Sequence, residues 1–359
     1  MKHKGYWKTE LAVICDKHND WHTRQDKVVA FATRQARRQG LFRIFVLLHK
    51  LGYKTRPKNF GQRHLQALMA YWTAQQLPTQ SQPKVASRIP RRDKPFSAAY
   101  IQQQISFLRA YAAWIGKPGL VKAAQVYADD PQLVKRSYCA KVDRSWAANG
   151  VDAVAMTERV RLIDQHVATQ LRLMVAFGLR RKEAVMFSPG AAEVPAYALP
   201  GNHPPGERYV CFLRIKRGTK GGRLRFAAIR TEEQRSALAE ATALARGKHG
   251  HVGRPGLSLK QSLDLFSNVV RQVGLTKKEL GVTPHGLRHQ FAGDLFFDIA
   301  HVRAPVRGGD ALSDPDALQD AYRQVARQLG HNRPQISNAY LGSPRMAKRR
   351  KPVGEQSPS

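Results

Sequence analysis

The chain has 359 residues with 60 Lys and Arg against 26 Asp and Glu, for a net charge of +34 and a pI near 10.7, so its expected partner is a polyanion. Nucleic acid is the first candidate, and no apolar run approaches membrane-spanning length. A hydrophobic share of 42% supplies material for two ordinary cores, which argues against a disordered tail protein.

Basic residues are spread along the chain, which suits a protein wrapping a duplex better than one carrying a single basic tail. Three cysteines, Cys15, Cys139 and Cys211, are odd in number and far apart. The start MKHKGYWKTE has no signal-peptide core. Both point to a reducing, cytoplasmic setting beside the nucleoid.

In chain order, CDKHNDWH at 15–22 sets Cys15, His18 and His22 at spacings that could ligate a metal. A structural zinc site closes with four ligands, and no second pair lies nearby, so no metal is expected. A helix is expected across 25–50, where aliphatics alternate with Arg and Lys. Leu65, Leu68, Met69 and Trp72 repeat at i, i+3, i+4, i+7, the stripe of a core-facing helix. Ile101, Ile105, Leu108, Ala112 and Ile115 form another stripe, closed by Gly116 and Pro118. Between these two, 79–95 carries Pro83, Pro90 and Pro95 and reads as a loop whose RRDK is a candidate phosphate contact.

After a less regular stretch at 121–156, Thr157 is expected to cap one long helix through Val160, Ile163, Val167, Leu171 and Met174, ending at Gly178. RYVCFLRI (208–215) and RLRFAAI (223–229) predict a hairpin across the Lys- and Gly-rich turn KRGTKGG. Thr231 with Gln234 forms a capping box, and Asp314-Pro315 opens a helix that should stop at Gly330. The expected fold class is mainly α with a small β-hairpin or sheet.

Three segments carry the chemistry: FGLRRKEAVMF (177–187), TPHGLRHQFAGD (283–294) and LGHNRPQISNAYLG (329–342). In this order they resemble the tyrosine recombinase, or phage integrase, family. Its signature has an Arg in a G-L-R-x-x-E segment, a hairpin Lys, a His-x-x-Arg, then a His or Trp nine residues before a Tyr. Arg180 and Glu183 fit the first element, His285 and Arg288 the third, and His331 and Tyr340 the last pair. Lys216 and Lys220 both lie near the hairpin turn. The family's turn, a Lys, small residues and then a basic residue, favours Lys220 with Arg225. His289 is read as packing or supporting the site.

The resemblance implies a two-domain DNA clamp. Its parts would be an N-terminal extension or basic arm at 1–24, a helical core-binding domain at 25–125, a linker at 126–156, a catalytic domain at 157–345 and a basic tail at 346–359. It implies site-specific recombination at double-stranded attachment sites, by a homo-tetramer, with accessory DNA-bending or directionality proteins as further partners and no cofactor. Tyr340 would attack a phosphodiester and form a 3′-phosphotyrosyl link. Arg180 and Arg288 would clamp the non-bridging oxygens, since a planar guanidinium bonds two oxygens at once. Lys220 would protonate the departing 5′ oxygen, His285 would assist proton transfer, His331 would bind the phosphate, and Glu183 would orient the site. A type IB topoisomerase shares this chemistry, and a non-catalytic DNA-binding relative would keep the fold without turnover. The 42 residues between Arg288 and His331 exceed the family's usual spacing. The excess falls at 299–316, a Gly- and Pro-bearing loop.

Overall fold

The computed structural model describes residues 6–201, 209–247, 250–309 and 314–345. The chain divides into two compact units, residues 1–137 and 138–359. It is mainly helical with one small sheet.

The first unit is built on four helices: α1 (Tyr6–His18), α2 (Phe31–Lys50), α3 (Gln62–Thr73) and α4 (Ala98–Trp114). The stripe of α3 is fully used, with Leu65, Leu68, Met69 and Trp72 all buried against Ile101, Ile105 and Leu108 of α4. Helix α2 starts at Phe31, six residues inside the expected span, because 21–28 fold back as an isolated bridge between Trp21 and Val28. Helix α1 adds Leu11, Ile14 and Cys15 to the same core, so Cys15 packs as a small apolar side chain. Segment 79–95 has only a short helical turn at Thr79–Ser81, and Arg92 stacks on Phe96 with its guanidinium carbon 3.8 Å from the ring centre.

The stretch read as a linker, 126–156, is shared between the units, since the division falls at 137/138. Trp146 is the reason its second half belongs with the second unit. Its ring is buried among Leu171, Met174 and Leu287, and its indole N–H donates to the Thr283 carbonyl at 2.8 Å.

The second unit opens with α5 (Ala153–Arg161) and α6 (Gln165–Phe177), which corrects the single long helix expected from Thr157. Asp152 and Asp164 are the caps, and the Asp164 carboxylate accepts from the Val167 amide at 2.9 Å, restarting the helix. Thr157 lies inside α5 and its hydroxyl donates back to the Ala153 carbonyl at 2.7 Å. The apolar period continued across the break, so periodicity alone could not reveal it.

A short α7 (Arg181–Val185) leads to the sheet, β1 (Glu193–Pro195), β2 (Cys211–Ile215) and β3 (Arg225–Ala228), all antiparallel in the order β1-β2-β3. The expected hairpin is β2–β3, with Leu213 opposite Ala227 and Ile215 opposite Arg225. Strand β1 is too short to show a period-2 pattern. Then follow α8 (Glu232–Leu244), with the expected Thr231/Gln234 box, α9 (Leu259–Gln272) and α10 (Gly286–Ala300). Helix α11 (Pro315–Gln328) is capped by Asp314 and stops before Gly330, and α12 (Asn338–Leu341) completes the order. The described part of the 299–316 loop is anchored, because Arg307 reaches Asp143 at 3.0 Å and Asp294 at 2.6 Å. Residues 310–313, and the tail at 346–359, lie outside the described residues. Among the described residues no helix is long and apolar enough to cross a membrane.

Candidate active site

One buried carboxylate organises the site. Glu183, on the first turn of α7, has no exposed surface, and its Oε1 accepts from Arg180 Nη1 at 2.5 Å. Its Oε2 accepts from the Arg180 amide at 2.9 Å and from Arg225 Nη2 at 2.8 Å, while Arg288 Nη1 stands 3.8 Å away. Burial by itself would raise the Glu183 pKa. Arg225 first, then Arg288 and Arg180, overcome that and bring it down to about 2, so the group is a carboxylate at any working pH.

Arg288 is carried on the first turn of α10 and is completely buried. Its Nη1 donates to the Gly178 carbonyl, at the end of α6, and its Nη2 to the Leu329 carbonyl, at the end of α11. Its Nε donates to the Tyr340 hydroxyl at 3.2 Å. Burial pulls the guanidinium pKa down to about 10, which leaves it charged. Three of its five N–H groups have these partners, leaving two to meet an anion.

Tyr340, on α12, is 8% exposed, and three imidazoles surround its ring. Ring centres lie 4.9 Å away for His289, 6.0 Å for His331 and 6.3 Å for His285. Burial, followed by the charges of His285 and Arg144, brings the His289 pKa to about 4. Burial also brings His331 to about 4, with Arg288, Arg180, Arg225 and Lys220 adding to the effect. His285 is the most exposed of the three and is lowered too, by partial burial and then by Arg288, Arg180 and Arg144. All three rings are therefore neutral near pH 7 and can accept a proton or a hydrogen bond. Two of their nitrogens, His289 Nδ1 and His331 Nε2, are buried without a protein partner.

The hairpin turn separates the two candidate lysines. Lys216 folds back on its own turn, with Nζ donating to the Gly222 carbonyl at 2.7 Å. Lys220 is exposed, and its charge acts on His331. Arg180, with about a quarter of its side chain exposed, forms the solvent-facing side of the Glu183 cluster.

The folding thus gathers Arg180, Glu183, His285, Arg288, His331 and Tyr340 into one cluster, with Lys220 within electrostatic reach. Three further participants lie beside it: Arg225, buried on Glu183, and His289 and Arg144, next to His285. His289 sat inside one of the three recognised segments, and Arg225 beside the hairpin turn, paired with Lys220 in the sequence reading. What marks them out is burial of a charged or titratable group, which a sequence pattern does not display. Arg144 sits in an irregular stretch with no motif. Its backbone packs against Gly286, where an added Cβ would stand 2.6 Å from the Arg144 carbonyl, so the glycine of H-G-L-R permits this approach.

Residues 140–294 match the family model described as integrase. That span holds Arg180, Glu183, Lys220, His285 and Arg288 and ends before His331 and Tyr340. Among solved structures, a lambda integrase (75–356) dimer bound to a COC′ core site is 13% identical, covers 96% of this chain and 99% of its own, and gives a TM-score of 0.49. The XerH site-specific recombinase bound to a palindromic difH substrate is 16% identical, covers 87% of this chain and 74% of its own, and gives a TM-score of 0.44. No curated protein matches the chain.

Proposed function

We propose that this chain, whose residues 140–294 match the integrase family model, is a tyrosine recombinase that cuts and rejoins double-stranded DNA at specific sites using Tyr340 as nucleophile, integrating or excising a mobile element. The observation that carries the reading is the hydrogen bond from Arg288 Nε to the Tyr340 hydroxyl at 3.2 Å, inside a ring of neutral histidines. A phenol must lose its proton to attack phosphorus, and a neutral imidazole is a suitable acceptor. His285, the most exposed of the three, takes that part.

Attack at phosphorus builds negative charge on the non-bridging oxygens. The remaining Arg288 N–H groups and the Arg180 fork meet that charge already fixed in place by Glu183 and the backbone, so little reorganisation is needed. Lys220 gives its proton to the departing 5′ oxygen, and His331 holds the phosphate. The resulting 3′-phosphotyrosyl ester conserves the energy of the broken bond, and a 5′ hydroxyl reverses it, so strand exchange draws on no nucleotide. A net charge of +34 supplies affinity for the duplex, with the helical first unit as its second gripping surface. A homo-tetramer on paired sites completes the exchange.

The test begins with the DNA. Sequencing the junctions of the mobile segment that carries the gene gives the attachment sites, and a nicked suicide substrate is built from them. The native chain should form a covalent adduct, and Tyr340→Phe should bind equally well and form none. An adduct in Tyr340→Phe removes Tyr340 from this role. Efficient relaxation of plasmids lacking the site would favour a type IB topoisomerase instead.

A further inference from the structure

We propose that Arg225 is a positioning residue of this site: by occupying the Oε2 corner of Glu183 it keeps Arg288 directed at Tyr340. The proposal rests on the reading of Arg288 and Tyr340 as reacting groups.

Arg225 and Arg288 are both buried, and they stand on the same supports. Arg225 Nη1 donates to the Gln328 carbonyl, while Nη2 donates to Glu183 Oε2 at 2.8 Å and to the Gly178 carbonyl at 3.4 Å. Arg288 uses the Gly178 carbonyl as well, and the Leu329 carbonyl, one residue after Gln328. Two cations thus compete for one carboxylate oxygen. Arg225 makes the hydrogen bond and Arg288 is left 3.8 Å away, outside hydrogen-bond range. That leaves Arg288 Nε on the Tyr340 hydroxyl.

Arg225 spends its Nη groups on Glu183 and on main-chain carbonyls, so it acts through Glu183. Space for it is made by Gly330, where a Cβ would stand 2.7 Å from Arg225 Cδ. The residue therefore also ties β3, which begins five residues after Lys220, to the turn that carries His331. Without Arg225, Glu183 Oε2 would keep the Arg180 amide but lose its close cation, and the nearest remaining cation on that side is Arg288. A shift of about 1 Å would close that pair and draw the guanidinium away from the phenol, and displacements of this size are enough to cost catalysis about a hundredfold.

Two variants test this. Arg225→Met removes the charge. Arg225→Lys keeps it but lacks the fork needed to span Glu183 and the Gln328 carbonyl together. Single-turnover adduct formation at saturating attachment-site DNA should slow at least tenfold in both, with DNA affinity unchanged. In a Glu183→Gln background the added loss from Arg225→Met should shrink to less than threefold, because the competition has been removed. Should Arg225→Met not fold, the same comparison is made with Arg225→Lys. Wild-type rates in the single variants, or equal losses in the two backgrounds, overturn the proposal. A second measurement needs no DNA: the Arg288 Nε–H resonance in ¹⁵N spectra should respond to Tyr340→Phe in the native chain and no longer respond once Arg225 is Met or Lys. An unchanged response also overturns it. Absence of any adduct from the native chain counts against the recombinase reading, and the resonance still decides the role of Arg225.

Discussion

Arg288 and Tyr340 lie 52 residues apart in sequence, on α10 and α12, and meet through one hydrogen bond of 3.2 Å from guanidinium Nε to phenolic oxygen. That bond explains why this position calls for arginine. Its two Nη atoms hold the ends of α6 and α11 while Nε remains for the tyrosine. A lysine ammonium is a point charge and cannot reach all three partners in one plane.

Arg288→Lys should therefore bind DNA like the native chain and form the covalent adduct about 10²–10³-fold more slowly, the usual loss when a preorganised donor is removed. Adduct formation on the suicide substrate measures it. A loss under threefold would show that charge alone suffices.

The two hairpin lysines should separate cleanly. Lys220→Ala should slow cleavage strongly, and Lys216→Ala, which loses a bond within its own turn, should do so mildly. A substrate with sulfur at the bridging 5′ position tests the reason, because a thiolate leaves without protonation. That substrate should rescue Lys220→Ala. If it rescues Lys216→Ala instead, the assignment is reversed.

Buried His289 makes stability depend on pH in a defined direction. Its folded pKa of about 4 lies below the ordinary 6.5, so between those values the unfolded chain binds more protons than the folded one. The stability due to its neutral form is complete above about pH 6.5 and declines as pH falls toward 4. His331 adds in the same sense, and Glu183, held at about 2, extends the decline below pH 4.5. Melting temperature followed from pH 7 to pH 4 should fall, and His289→Phe should flatten part of that fall. A slope unaltered by the substitution would refute the assignment.

Gly330 has φ near +72° and packs against Arg225, so Gly330→Ala meets both backbone strain and a steric conflict. The variant should lose more than about 1 kcal/mol in urea denaturation. It should also cut more slowly. Undiminished stability would mean that the turn readily accommodates a Cβ.

Much of the second unit can be read directly from local chemistry. The hairpin, the Thr231 and Asp314 caps and the stop at Gly330 each depend on residues a few positions apart, so the chain displays them without a tertiary context. The break between α5 and α6 was hidden, because a capping Asp164 interrupts the backbone without interrupting the apolar period. Strand β1 was hidden for a different reason: three residues carry no period, and pairing with β2 makes them a strand.

By itself the sequence determined the ingredients: a basic chain with two cores' worth of apolar residues, and a set of Arg, Lys, His and Tyr whose order and spacing point to one chemistry. Tertiary structure decided which of those groups share an environment. It set His289 4.9 Å from the Tyr340 ring, placed Arg225 on Glu183, and turned Lys216 back on its own turn. Spacing along a chain reports what a helix or hairpin brings together. The protonation state of a buried group is set instead by desolvation and by charges from other elements, and only the folded chain brings those to one place.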